Sequence, residues 1–471
     1  MRVVRFRQKD PDPSLKEPHR SDRLECAVAH CLSRFPMSAR TNLREAVAGY
    51  RAASNSLHEA SSRQSRWGLD WMNFFIADVQ TGFGTYVAFY LARNGWSEGS
   101  TGLALTVGGL AGVLSQIPGG ALCDVLTWKR GLVAIGIIAI GAAALILALS
   151  HSFAPILCAE VLHGVTAGII TPAIGAISLG LVGRRAMSLR TGRNYRFAAG
   201  GHAVTAVLMG LAGAYYWPGA MFLAAATLCV PALISLSFIR PNEIDYARAR
   251  NAAINQQAKN VGRVLDLAKN RPLVLFAAAI TLFQLADAST LPLIGENIAR
   301  AGQGSVSISL LVIVPQIVVA TISPWIGYHS EKRGRRQLLL IGFALEPVRA
   351  GLLASTTELP FLIIAQVLSG VTGAVIGVLM IVVIADLTVG SGRFNLAQGI
   401  IGAMSGLAAS ASTVSTGYFF QGFGSWTGFL VIAVIATAAT ALIWAFLSET
   451  KPPGPDEIVD ETAHAVAERN I

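Results

Sequence analysis

The chain has 471 residues, of which 53% are apolar and only 14% charged, against roughly 25% charged in a soluble domain. Single hydrophobic cores stop growing near about 250 to 300 residues, so this much apolar surface excludes a water-soluble globule and makes lipid the solvent for most of the chain. The formal net charge of +10 would suit nucleic acid, but the positions of the basic residues assign it to a membrane surface, and nucleic acid is not expected as a partner.

Residues 1–66 carry 13 Lys/Arg and 7 Asp/Glu with no long apolar run, and so lack the core of a signal peptide. They are predicted to be a polar, disordered cytoplasmic leader, or sequence translated from a start placed too far upstream. Apolar runs long enough to span a bilayer, about 20 residues, then recur at 69–92, 101–122, 131–150, 153–182, 197–217 and 218–239. After a polar stretch they resume at 272–298, 305–328, 337–355, 360–385, 396–420 and 424–447. The expected fold class is an all-α membrane protein of twelve transmembrane helices in two six-helix repeats. Its parts would be an N-terminal bundle over 67–239, a solvated cytoplasmic linker over 240–271, a C-terminal bundle over 272–447 and a cytoplasmic tail over 448–471. Cys26 and Cys31 lie in the leader, while Cys123, Cys158 and Cys229 lie at or inside apolar runs, so no disulfide or zinc framework is indicated.

Lys and Arg accumulate on the cytoplasmic side of membrane proteins. The loops after spans 2, 4, 6, 8 and 10 hold 19 of these residues, and the alternate loops hold only Arg93 and Arg300. This asymmetry places both termini in the cytoplasm of a multi-pass protein of the cell (inner) membrane.

The second half repeats the first. Phe74 to Thr81 matches Phe283 to Thr290 at an offset of 209, Leu91 to Gly95 matches Ile298 to Gly302 at 207, and Val161 to Thr166 matches Val367 to Thr372 at 206. Parallel six-helix halves around a central site are the architecture of a rocking transporter.

After span 2 the sequence reads Gly120-Ala121-Leu122-Cys123-Asp124, followed by Lys129-Arg130. After span 8 it reads Gly327-Tyr328-His329-Ser330-Glu331-Lys332-Arg333-Gly334-Arg335-Arg336. These stretches resemble the loop signature G-x-L-A-D-R-x-G-R-R of the major facilitator superfamily, and they stand 207 residues apart. The first copy has Val125 where a basic residue is usual, Thr127 where a second glycine is usual, and one extra residue before Lys129. The second has His329 for Leu and Glu331 for Asp. The resemblance covers residues 67–447 and implies cytoplasmic gate loops between the halves, carried by Gly120, Asp124, Lys129, Arg130, Gly327, Glu331, Lys332, Gly334, Arg335 and Arg336. By the repeat, Asp124 should approach the first turn of span 11 near residues 395–398, and Glu331 that of span 5 near residues 195–198. Asn73 to Leu91, and the segments 384–388 and 392–399, further resemble bacterial permeases of this superfamily without a known solute.

Ionisable side chains inside spans are costly and mark candidate sites. Asp78 in span 1 and Asp287 in span 7 are repeat counterparts, read either as a proton or cation site or as acids satisfied locally by Asn73, Gln80 or Gln284. Glu160 and His163 lie three apart on one face of span 4, able to carry protons or to hydrogen-bond between helices. Glu346 and Arg349 in span 9 have the same spacing and opposite charge, as expected of an intramembrane ion pair. One Glu-x-x-His supplies too few ligands for a metal, and no cofactor is expected. Gly95-Trp96-Ser97-Glu98-Gly99 fits G-x-S-x-G without the strand and helix that motif needs, and none of the seven lysines follows a glycine, which rules out a Walker A phosphate loop. The Gly-Pro signature of some superfamily exporters is missing from span 5. The chain is therefore expected to be no enzyme. The leading expectation is a monomeric secondary transporter of a small cationic or neutral organic solute, working by alternating access and coupled to protons. An uncoupled facilitator and a non-transporting receptor or scaffold of the same fold remain as alternatives.

Overall fold

The computed structural model describes residues 61–81, 84–252, 265–290, 294, 305–356 and 358–451. The leader to residue 60, the middle of the linker and the tail beyond 451 lie outside the described residues, as do the side chains of Asp78 and Gln80. Among the described residues there is no strand, and eight helices are long and apolar enough to cross a membrane.

The N-terminal half comprises α1 (Arg63–Thr81), α2 (Gly84–Arg93), α3 (Glu98–Val125), α4 (Lys129–Leu149), α5 (Phe153–Val182), α6 (Met187–Tyr215) and α7 (Ala220–Ser237). The C-terminal half comprises α8 (Arg271–Asp287), α9 (Ser305–Arg333), α10 (Arg335–Ser355), α11 (Leu359–Leu387), α12 (Phe394–Phe423) and α13 (Ser425–Phe446). Span 1 is thus carried by α1 and α2 together, and the remaining helices follow the other spans in order. Prolines interrupt several interiors, at Pro118, Pro172, Pro231, Pro315, Pro324 and Pro347, which membrane helices tolerate where neighbours satisfy the freed backbone groups.

Lipid is as apolar as the side chains, so membrane helices are held by close packing rather than by expulsion of water. α3 packs along α5, and the contact is made by glycines four residues apart. A Cβ on Gly164 would collide with the Gly108 carbonyl oxygen, and one on Gly112 would meet the Gly164 carbonyl oxygen at 3.5 Å. In the second half α9 packs on α11 in the same way, with Gly370, the counterpart of Gly164, 2.5 Å from Val318 Cβ by the same test. Each half has its own buried apolar core, around Ile137, Ile140 and Phe222 in the first and around Phe276, Phe343 and Leu379 in the second.

Two boundaries differ from the sequence reading. The first helix starts at Arg63 rather than near 69, because Glu243 receives the Ser62 N–H at 2.8 Å and the Ser62 hydroxyl at 2.9 Å, satisfying donors at its start. The linker is not solvated throughout. In residues 240–252, Ile244, Ala249 and Arg250 are buried, and a short helix, Tyr246–Ala249, packs on α5. The Arg250 and Asn251 carbonyl oxygens accept from Phe394 and Gly392 N–H at 3.3 Å each. The linker's polar composition hid this, since its bonds are mostly made by backbone atoms.

Candidate functional site

The two halves meet at the end that carries the basic loops, through α3 on α12 and α6 on α9. The contacts come in counterparts 207 residues apart. A Cβ on Gly120 would strike the Asn395 carbonyl oxygen, and one on Gly327 that of Ser188. Gly399 lies in the same way against Gln116 and Gly192 against Ser323. Each glycine brings a helix backbone directly onto a helix of the other half.

Asp124, buried in the last turn of α3, completes the first contact. Its Oδ1 accepts from the Asn395 backbone N–H at 3.2 Å and from Asn395 Nδ2 at 2.8 Å, and its Oδ2 accepts from Leu396 N–H at 2.8 Å. These are unpaired donors of the first turn of α12, at the positive end of its dipole. Asn395 Nδ2 also donates to the linker carbonyl of Ala249 at 3.0 Å. Lys129 is buried too, and its Nζ donates to the Cys123 carbonyl and, at 3.0 Å, to that of Leu126. Arg130 donates to the Leu236 and Ser237 carbonyls, tying α4 to α7.

The second contact is built differently. Glu331 does not reach residues 195–198. It accepts from its own neighbour Arg335 at 3.1 Å. Helix α6 starts at Met187, ten residues before the apolar run that defined span 5, so the first-turn residue facing Gly327 is Ser188. Arg335 is fully buried, with its Nε 2.8 Å from Asp386 Oδ2 in α11, and it donates to Ser330 O at 3.3 Å and Ser188 Oγ at 3.4 Å. Arg184 lies 3.8 Å from the other Asp386 oxygen. Gly334, with φ at 97°, makes the left-handed turn into α10, whose first N–H groups, those of Arg335 and Arg336, donate to Glu449 at 2.8 and 3.1 Å. Arg336 also donates to Trp444 O at 2.7 Å, and the Lys332 ammonium sits 4.5 Å above the Tyr328 ring.

Above these contacts a cavity of about 210 Å³ opens between the halves. Asn73, Ser178, Thr191, Asn194 and His202 of the first half line it, with Ile381 of the second. Its described lining contains no carboxylate. Asn194 Nδ2 donates to Ser178 Oγ at 2.9 Å, and its Oδ1 accepts from Arg190 Nε at 2.8 Å. Arg190 and Arg193 both pair with Asp70, which is buried in α1.

The remaining candidates are dispersed. Among the described side chains, neither Asn73 nor Gln284 holds Asp287, and that of Gln80 lies outside them. Arg349 lies between two acids, its NH2 2.8 Å from Asp287 Oδ1 and 3.1 Å from Glu346 Oε1. Glu346 and Arg349 are buried, while the Asp287 side chain is 36% exposed. Gln284 is half-buried beside it in sequence. Glu160 is buried against Gly108, where a Cβ would collide with its Oε2. His163 is buried on the same helix. Asp78 and Gln80 lie on α1, and their side chains are outside the described residues. Among the cavity candidates, the described structure thus brings only Asn73 to the cavity.

Sequence reasoning missed Asp70, Ser188, Arg190 and Asp386, whereas the repeat does place residues 395–398 beside Asp124. Asp386 follows the last residue of an apolar run and reads as loop, but α11 continues to Leu387. Asp70, one acid in an aromatic-rich helix start, carried the same signal as Asp78.

The family model of the Major Facilitator Superfamily matches residues 70–345 and, in a second alignment, 277–469. The chain belongs to the major facilitator superfamily. Two uncharacterized MFS-type transporters, from two strains of Mycobacterium tuberculosis, are 31% identical over 387 residues, 81% of this chain and 93% of theirs. The class B tetracycline resistance protein of Escherichia coli is 29% identical over 142 residues, 30% of this chain and 35% of that protein. Among solved structures, the proton:xylose symporter XylE aligns with a TM-score of 0.62 at 14% identity, over 84% of this chain and 97% of that one. The human organic anion transporter MFSD10 aligns at 0.59 and 15%, over 81% and 100%. The chain has the twelve-helix, two-repeat fold of this superfamily and is a multi-pass membrane protein of a transporter family.

Proposed function

We propose that this protein is a proton-coupled secondary transporter that moves a small organic solute across the cell membrane by alternating access. The carrying observation is the pair of repeat-related contacts, Gly120 on Asn395 and Gly327 on Ser188, that joins the two halves at the basic end beneath a cavity formed by both. A contact that closes one end of a two-fold arrangement, and that rests on a few hydrogen bonds, is the element that rocking must break. The gate loops would then sit in the cytoplasm, as would both termini.

The cavity suits a neutral, hydrogen-bonding solute, since its described lining offers amides, hydroxyls and an imidazole. That shifts the reading away from a cation. For protons, Glu160 is the leading carrier. It is buried within a span and makes no hydrogen bond with a described residue, and ionisable groups inside spans mark proton pathways. Asp287 is the second, because Arg349 must be shared between it and Glu346. The similarity to a proton:xylose symporter structure and to a tetracycline resistance protein fits the reading without naming the solute.

The test is flux in proteoliposomes under an imposed pH gradient, with solutes first selected by thermal shift, since a ligand that binds the fold stabilises it. Glu160→Gln, Asp78→Asn and Asp287→Asn should each be compared with the parent. Loss of gradient-driven uptake, with exchange down the solute's own gradient retained, supports coupling. Uptake by the parent that ignores the pH gradient identifies an uncoupled facilitator, and absence of any flux for solutes that bind identifies a receptor.

A further inference from the structure

Outside the cavity and the contacts between the halves, one feature is built for a ligand of opposite charge. At the basic end of the first half, α1 and α6 enclose a surface pocket of about 450 Å³ lined by Arg63, Arg66, Arg190 and Arg193, with Trp67 and Leu189 on its rim. Among the described residues Asp70 is the only acid paired there, and it is buried behind Arg190 and Arg193, both of which it binds. Counted over the described residues, the pocket therefore keeps an excess of about three positive charges. Neither Arg63 nor Arg66 has a side-chain partner among the described residues, and both are exposed. Like charges gathered around a concavity raise the local potential and draw in an anion, and guanidinium groups match the oxygens of a phosphate two at a time.

The rim decides between anions. Trp67 is 54% exposed and Leu189 45% exposed, a costly arrangement in water but an ordinary one at the membrane boundary, where tryptophan anchors helices. Basic pockets between helices at that depth suit lipid headgroups. We propose that this pocket binds the phosphate of an anionic phospholipid of the cytoplasmic leaflet, with Arg63 and Arg66 as its exposed arms and Arg190 and Arg193, paired with Asp70, as its floor. The inference does not depend on proton coupling or on the identity of the solute.

The test uses the full chain in nanodiscs of phosphatidylcholine, with or without phosphatidylglycerol. Retained lipid is measured by mass spectrometry and stability by thermal melting. Phosphatidylglycerol should be retained and should raise Tm, and Arg63→Gln/Arg66→Gln should weaken that retention about tenfold or more while leaving Tm in pure phosphatidylcholine unchanged. Arg271→Gln/Arg333→Gln removes the same charge from the other half and should leave retention intact. Equal loss in the two double variants, or no preference for phosphatidylglycerol in the parent, overturns the proposal. Inorganic phosphate that raises Tm in phosphatidylcholine alone, and displaces the lipid, would make the pocket a soluble-anion site and overturn the lipid assignment.

Discussion

The Asp124 carboxylate, at the end of α3, accepts three hydrogen bonds from the first turn of α12, two of them from Asn395, a residue 271 positions away. Hydrogen bonds to a charged group contribute about 1.5 to 3 kcal/mol each, so this one side chain sets much of the strength of the basic-end contact. Asp124→Asn removes the charge and one acceptor. The conformation closed at the basic end should lose about 2 kcal/mol, roughly a thirtyfold shift in population. Spin labels placed on the ends of α3 and α12 should report a longer distance in the variant. An unchanged distance distribution would show that glycine packing alone holds the contact.

Arg335 and Asp386 form a fully desolvated pair on the other side of the pseudo-symmetry. Removing one partner of a buried pair costs about 3 to 5 kcal/mol, whereas replacing both with apolar residues can cost little. Asp386→Leu and Arg335→Met should each lower Tm sharply, and Arg335→Met/Asp386→Leu should recover most of the loss. A double-mutant cycle that shows additive losses would mean the two side chains do not depend on each other.

The three charges of Asp287, Arg349 and Glu346 should rank by how many buried partners each loss strands. Arg349→Met strands two acids, one of them fully buried, and is expected to be the most damaging of the three at about 3 to 5 kcal/mol. Asp287→Asn should be milder, because that carboxyl is about one-third exposed and Arg349 keeps Glu346. Thermal melts in detergent would check the order, and an Asp287 variant as unstable as the Arg349 variant would contradict it.

Gly164→Ala should push α3 away from α5, since the new methyl group meets the Gly108 carbonyl oxygen, a backbone atom that cannot turn aside. A loss of about 1 to 3 kcal/mol is expected, the usual cost of overpacking. Gly210→Ala, where the same test finds open space, should leave Tm within error and serves as the control.

Glu243 holds the start of α1 and gives a pH dependence of known sign. Burial works to raise its pKa, but hydrogen bonds from Ser65 and Ser62 and the charge of Arg240 outweigh it and hold the carboxyl below its ordinary value of 4.5. A group depressed in the folded state binds protons more readily when unfolded, so its contribution is present above the unfolded pKa and is lost as pH falls through the folded one. Glu243→Gln should therefore cost less than about 1 kcal/mol of stability at pH 7 for a partly solvated group, read as a small drop in Tm. The difference between variant and parent should shrink as pH falls below the ordinary value of 4.5 and vanish once the folded carboxyl is protonated.

The twelve spans, the basic asymmetry of alternate loops and the twofold repeat are written in the order of residues, because bilayer thickness, interfacial charge and gene-level repetition each leave a linear trace. They determined the fold class, and through the repeated loop they located Gly120 and Gly327, two of the four glycines at which the halves touch. The sequence also paired Glu346 with Arg349, which stand one helical turn apart. It could not show that Arg349 is shared with Asp287, that Arg335 reaches Asp386 across from α11, or that Asp70 anchors Arg190 and Arg193. Each of those pairs joins two helices, and its partner depends on rotation and depth, which no spacing along one chain records. The start of α6 was hidden for the same reason. Its first turns are polar, with Arg190 and Arg193 paired to Asp70 of α1, and the apolar run that marks the membrane begins after they end.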